Sequence, residues 1–494
     1  MKTSSLTYLF PTLLLALSPL QADDVVKAAI KSNGQVIYTQ KPANVDTISE
    51  LFTEATMYGR IRSNNFYYAF DNQDTSHDTH AISGLGASFI YQSASYNDFD
   101  FRIGAYGSYA FYDDVADPTK DLKAGHDLVS RYDYLNHGDK YMAVIGQAYL
   151  RYGKTDTAQV ILGRQLVETF YTKSNDTKII PNTFDGLVLN SDIVDDTSIR
   201  LAYLYEQKLR DHTSSHAVLM YGDDNSSSTS VSGTSKYTEN DDSAMHKGLT
   251  YTALKAADKP TDAPLITGDV HNTSVKNLKA DASFYVVPEL VSQIMLEANY
   301  KMDFDGFSVS PGARYIKQFD NGAGAVGGAA LSGTASATTP SGYKDPTSLE
   351  AQMIAARVVT KVKEYKINLG YTNILDEADL VTPWRGFPTA GYTRSMARYN
   401  WTANTQSYRL ELTMNDNKAG IYKDVFVQTS VLYTNADEDK SGKDEMYYYI
   451  GFIQNIPSIL ELQWRLRLGY AQYINSDDAE FNNLDTRFEL NYTF

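Results

Sequence analysis

The chain has no cysteine among its 494 residues. Disulfides are therefore excluded, and the composition suits an oxidising compartment in which a stray thiol would be a liability. It also lacks long apolar runs. After the first twenty residues no stretch of 18 is apolar enough to cross a bilayer as a helix, and the mean hydropathy is −0.37. Positive charge is in short supply, with 44 Lys and Arg against 60 Asp and Glu. The net charge of −16 argues against nucleic acid as a partner. Tyrosine, by contrast, is plentiful at 38 residues. An aromatic ring with one wet end is the side chain that membrane-interface girdles use.

The tyrosines sit in alternating stretches. In the terminal segment from Leu484, Phe488, Leu490, Tyr492 and Phe494 occupy one side of an extended strand, and Arg487, Glu489, Asn491 and Thr493 the other. The chain stops on the carboxylate of Phe494. This pattern looks like the terminal strand by which bacterial outer-membrane barrels are recognised and inserted, which makes the barrel-assembly machinery an expected partner.

The N-terminus carries Lys2, a mostly apolar stretch from Leu6 to Leu17, Pro19, and then Leu20-Gln21-Ala22. It reads as a secretory signal over residues 1–22 with cleavage after Ala22. Residues 23–54 are mixed and mildly amphipathic, are expected in the periplasm, and are too few for the plug domain of an energised transporter. Residues 55–494 read as one membrane domain.

About eighteen segments in that domain read as strands, an even number as single-chain bacterial barrels require. GLTYTAL (248–254) is taken as one of them, which leaves an awkwardly long turn over 256–276. Towards the C-terminus the connections at Lys361–Lys363, Asn415–Gly420 and Asn455–Ser458 are short, whereas 319–348, 375–404 and 434–444 are long. Short periplasmic turns alternating with long outer loops are a barrel property that a soluble sandwich has no reason to keep. The fold class expected is all-β: a transmembrane antiparallel up-and-down barrel with inward-folded outer loops.

From Gly163 the chain reads GRQLVETFYTKSNDTKIIPNTFDGLVL. This resembles the OprD family of outer-membrane porins at Ser174, Asn175, Asp176, Lys178, Pro181, Thr183, Phe184 and Gly186. A second stretch, DLVTPWRGFPTAGYTRSM from Asp379, looks like that family's epsilonproteobacterial branch. The resemblance implies an 18-stranded barrel whose third outer loop narrows the pore, and it puts Asn175, Asp176 and Lys178 in that loop. The strand count independently places Gln165–Thr183 there. Lys178 departs from the family pattern, where Arg is common, so a bidentate carboxylate grip at that position is in doubt.

Alternation also sorts the charges. Leu462, Trp464, Leu466 and Leu468 face lipid, so Arg465 and Arg467 face the lumen; the opposite register would cost about 2–4 kcal/mol per midplane Arg. Arg60, Arg62, Arg200, Arg409 and Arg487 follow by the same argument, with Glu411 and Glu489 beside them. Two readings stay open. The arginines pair across the wall and solvate a wide pore, or they form a ladder of guanidiniums along which an anionic solute slides. The family resemblance adds weight to the ladder. Either way the lumen groups are expected to stay hydrated, so that neutralising Arg465 and Arg467 leaves stability nearly unchanged. Arg385, Arg394 and Arg398 lie in the long loop around Trp384, which is expected to pack into the pore, with a solvent-exposed loop as the alternative.

The eight histidines are all assigned to loops. His77 and His80 could share a helical turn, but no third ligand accompanies them. No cofactor, metal or catalytic trio is expected, and the chain is not read as an enzyme. The function expected is passive, partly selective diffusion of small hydrophilic, carboxylate-bearing solutes. The partners expected are outer-membrane lipid and lipopolysaccharide, with the protein a monomer or weak homotrimer. A structural or adhesive barrel with a blocked lumen is the alternative, and an active transporter is opposed by the missing plug.

Overall fold

Eighteen antiparallel strands close into a barrel. The computed structural model describes residues 28–31, 34–38, 42–71, 79–115, 128–154, 156–222, 238, 240, 242, 244–414 and 424–494. The signal reading at 1–22, His77, His126 and the connection at 415–420 lie outside the described residues. In chain order the barrel strands are β1 (Thr56–Phe70), β2 (His80–Gln92), β3 (Phe99–Val115), β4 (Tyr141–Lys154), β5 (Ala158–Gln165) and β6 (Thr183–Ser191). Next come β7 (Thr197–Lys208), β8 (Leu265–Asn272), β9 (Leu278–Val287), β10 (Val291–Tyr300), β11 (Phe307–Asp320) and β12 (Ala351–Val362). The last six are β13 (Tyr365–Ile374), β14 (Thr405–Met414), β15 (Phe426–Asn435), β16 (Glu445–Ile456), β17 (Ile459–Tyr473) and β18 (Asn483–Thr493).

Closure is made by β18 on β1, with Asn491 opposite Arg62 and Thr493 opposite Arg60. Full closure leaves no strand edge unpaired, which is what a hydrocarbon environment demands. In β18 the predicted faces are realised: Phe488, Leu490 and Tyr492 are exposed on the outside, while Arg487, Glu489 and Asn491 are buried inside. Phe494 continues the seam by exchanging backbone hydrogen bonds with Gly59 at 3.0 and 3.1 Å. Phe494→Ala, or a short polar extension after it, is expected to lower the amount of assembled, heat-modifiable protein while leaving export intact. Normal assembly of both variants would remove the insertion role of this strand.

One predicted strand is wrong. GLTYTAL contributes a helix, Tyr251–Ala256, because the Thr250 side chain accepts a hydrogen bond from the Ala253 amide and caps it. The missing strand is β8, Leu265–Asn272, which pairs with β7 and β9. Its Gly268, Asp269, His271 and Asn272 are poor strand formers, so tertiary pairing rather than propensity makes it. With β8 in place the turn to β9 shrinks to residues 273–277, and the anomalous long turn disappears. The loop assignment of the histidines also fails at three of the described positions, since His80 opens β2, His271 lies in β8 and His137 ends a short helix, Arg131–His137.

Candidate functional site

The lumen is narrowed by loops that the wall holds in place. In the third outer loop (residues 166–182), the Phe170 amide donates to both carboxylate oxygens of Asp269 at 3.1 and 2.9 Å. The Arg200 guanidinium donates to the Glu168 carbonyl and, through Nε, to Asn190 Oδ1 at 2.5 Å. Arg200 thus reaches the third loop from the wall and holds its stem. At the loop's tip Asn175 takes a positive φ of 40°, and Asp176 turns onto the wall.

Asp176 meets both arginines of β1. Its carboxylate pairs with Arg60, and Arg62 Nη1 donates to Asp176 Oδ1 at 2.6 Å. Arg62 Nη2 reaches Glu489 Oε2 at 3.2 Å, and Glu489 also pairs with Arg467. Arg465 faces Glu489 in register. A continuous run of alternating charge therefore crosses the β17–β18–β1 wall and ends on the constriction loop. On β18 itself Arg487 pairs with Asp485 at 2.6 Å, and farther round, on β14, Arg409 pairs with Glu411. All six arginines are inward, as their parity requires, and all are 2–8 % exposed. That corrects the expectation of freely hydrated lumen groups: all six are buried, five of them contact carboxylates, and Arg465 stands opposite Glu489 in register.

Lys178 points away from the lumen arginines and reaches Asp211 Oδ2 at 3.4 Å, both groups being buried. It binds the third loop to the β7–β8 loop, a point-charge contact of the kind an ammonium makes. Its carbonyl also accepts from the Asn64 amide.

The loop between β13 and β14 (residues 375–404) folds inward, as expected from Trp384 and the prolines. Trp384 is fully buried, its indole Nε1 donates to the Val218 carbonyl at 2.6 Å, and its ring meets Tyr285 edge-on at 4.9 Å. Arg385 forms a buried pair with Asp242. Lys173 N donates to the Trp384 carbonyl at 3.0 Å, and Gly386 N to the Tyr171 carbonyl at 2.9 Å, so three loops close on one another. Arg394 lies 4.3 Å from the Phe387 ring and 5.3 Å from Tyr399, an arrangement in which the ring quadrupole replaces a carboxylate. Arg398 reaches Glu445 at 3.5 Å and donates to Asn483 Oδ1 at 3.0 Å. Of the three loop arginines, Arg385 and Arg398 therefore anchor the loop, and Arg394 stacks.

Sequence reasoning missed Arg314 and Arg357. Both grip Glu297, at 2.5 and 3.0 Å, and both lie over the Tyr392 ring. Arg314 also donates to the Pro388 and Ala390 carbonyls at 2.6 and 2.9 Å. The signal was available, because Arg314 shares inward parity with the buried Ile316 and Gln318. Asp269 was missed because its strand was missed.

A histidine clamps the outer end. His246 Nε2 lies 3.0 Å from the Gly328 carbonyl and Nδ1 accepts from the Gly248 amide, which fixes a neutral tautomer. Burial pulls its pKa from 6.5 down to about 4. A depressed histidine contributes stability that is complete above 6.5 and fades as pH falls towards 4, by roughly 3 kcal/mol in all. Hydrogen-exchange protection factors around His246 and Gly328, taken relative to the intrinsic rate at each pH, are expected to fall between pH 6.5 and 4. In His246→Gln that acid step should vanish; an unchanged profile in the variant would remove the clamp.

No protein-family model and no curated relative matches the sequence. Solved structures do match. OccAB3 of Acinetobacter baumannii is 13% identical over 90% of this chain and 99% of its own, with a TM-score of 0.66. OccK8 (OprE) of Pseudomonas aeruginosa is 14% identical over 90% and 99%, with a TM-score of 0.67. OpdK of the same organism, solved with vanillate, is 8% identical over 89% and 98%, with a TM-score of 0.63. These neighbours are OccK/OprD-family outer-membrane porins, channels rather than enzymes, and the chain shares their closed 18-stranded fold.

Proposed function

We propose that the chain is an OprD-type outer-membrane porin, exported by the signal at 1–22, through which small hydrophilic solutes diffuse passively, with carboxylate-bearing ones favoured. The observation that carries this reading is the run of Arg60, Arg62, Arg465 and Arg467 along one side of a lumen narrowed by the Asp176 loop. Each guanidinium presents paired donors to a carboxylate. The acids already between them keep any one site weak, and conduction needs several weak sites rather than one tight one. The exposed outer face, with Tyr109, Tyr141, Tyr203 and Tyr408, suits lipid and lipopolysaccharide.

The low exposure of Arg60, Arg62 and Glu489 favours a second reading, a barrel with a blocked lumen. Swelling of liposomes containing the purified protein separates the two. The porin reading expects swelling in small neutral solutes and faster entry of a carboxylate than of a neutral molecule of the same size. The absence of swelling with correctly assembled protein would favour the blocked barrel.

A further inference from the structure

We infer that the N-terminal segment ahead of β1 is an internal strap whose tip occupies the Arg60 guanidinium in place of a passing anion. This rests on the channel reading above and adds to it a specificity element within the segment that the sequence reading left in the periplasm.

Two short strands, Ala28–Ile30 and Val36–Tyr38, pair antiparallel, with Ile30 opposite Val36. The turn between them is closed by Lys31 N donating to the Gln35 carbonyl at 2.8 Å and Gly34 N to the Lys31 carbonyl at 2.9 Å. This hairpin lies against the inside of the barrel. The Tyr38 ring stacks on Tyr58 of β1 at 3.7 Å, and its hydroxyl reaches the Phe494 carbonyl at 3.5 Å. At the tip Arg60 Nη1 donates to the Gly34 carbonyl at 2.8 Å, while Arg60 Nη2 pairs with Asp176. A backbone oxygen thus takes one side of the guanidinium fork and the constriction loop takes the other. Those are the two acceptor positions that a solute carboxylate would use.

The tip fits only as glycine. Gly34 has a φ of 84°, and a Cβ there would lie 1.6 Å from the Asp176 carbonyl oxygen. Beneath the tip a cavity of about 60 Å³ remains, lined by Gln35, Tyr58, Arg60, Tyr106, Asp176 and Pro181. The strap therefore fills the space between the basic wall and the third loop and leaves room for little besides water. Releasing it frees donors on Arg60 and widens the passage; Gly34→Ala does so without altering any charged residue, whereas deleting 28–38 also removes Lys31.

The test is single-channel recording in planar bilayers of the full-length protein, Gly34→Ala and a deletion of residues 28–38, each first shown to be assembled by heat-modifiable mobility. Gly34→Ala cannot seat its tip, and the deletion has none. Both are expected to raise unit conductance at least roughly twofold and to move the reversal potential in a KCl gradient towards chloride, since an anion-facing donor is freed. If Gly34→Ala fails to assemble, the deletion alone decides. Wild-type conductance and selectivity in the assembled variants, with the parent conducting, would overturn the strap and leave the channel reading intact. A deletion that opens the pore while assembled Gly34→Ala does not would overturn the Gly34–Arg60 contact as its cause. The absence of current from all three proteins would overturn the channel reading and the strap with it.

Discussion

Asp176→Asn is expected to loosen the third loop and move the channel towards anions. Asp176 is 4% exposed and is the carboxylate that both Arg60 and Arg62 meet at the constriction. Removing one partner of a buried ion pair costs about 3–5 kcal/mol, because the charges left behind are neither paired nor fully solvated. The loop has other holds, at Asp269, Arg200 and Asn64, so the barrel should still assemble. What changes is the local balance: Arg60 loses its pair with Asp176 and Arg62 is left with Glu489, so both guanidiniums become more available to mobile anions. The expected readings are a lower thermal midpoint for loop ordering, a larger unit conductance and a reversal potential shifted towards chloride. A variant that keeps wild-type selectivity and loop protection would show that Asp176 is not the electrostatic partner its contacts indicate.

The second large effect is expected from Arg465→Gln with Arg467→Gln. Side chains two residues apart on a strand face the same way about 7 Å apart, so a carboxylate can pass from one guanidinium to the next without regaining its full water shell. Losing both should slow carboxylate flux about tenfold, equivalent to about 1.4 kcal/mol of lost solute binding. Neutral solutes of similar size should be affected far less. The structure also changes what the pair does for stability. Arg467 is a partner of Glu489, and its loss leaves that carboxylate to Arg62. A measurable fall in stability is therefore expected alongside the flux change. Arg467→Lys, which keeps the charge but not the fork, should recover stability more than flux. Equal loss for carboxylate and neutral solutes would assign the two arginines to packing alone.

How far these features could be read from sequence depends on the separation of the groups involved. The barrel was legible because lipid imposes period-two alternation on each strand by itself, and β17 with its Leu462, Trp464, Leu466 and Leu468 needs no partner to declare its register. The strand at 265–272 was not, because Gly268 and Asp269 weaken both its apolar face and its propensity, while GLTYTAL imitates a strand until Thr250 caps it into a helix. The inward arginines were legible for the same reason as the lipid face, being its complement. Their partners were not. Asp176 is 116 residues from Arg60 and Asp242 is 143 from Arg385, and nothing local to either acid announces the pairing. Hydration was misjudged for that reason. Parity shows that a side chain faces the lumen but cannot show that a loop from elsewhere in the chain will cover it. The resemblance around Ser174–Gly186 supplied the loop's inward turn, which alternation could not.

The central claim is that this lumen conducts and that its arginine track favours anions despite the chain's net acidity. Planar-bilayer recording of the purified, heat-modifiable protein tests it most directly, with reversal potentials measured in gradients of potassium chloride and then of potassium salts of small carboxylates. The account predicts discrete conductance steps, reversal on the anion side in each salt, and a smaller anion preference in Arg465→Gln, Arg467→Gln. A barrel that gives no steps, or one that prefers potassium to the same extent with and without the two arginines, would contradict it.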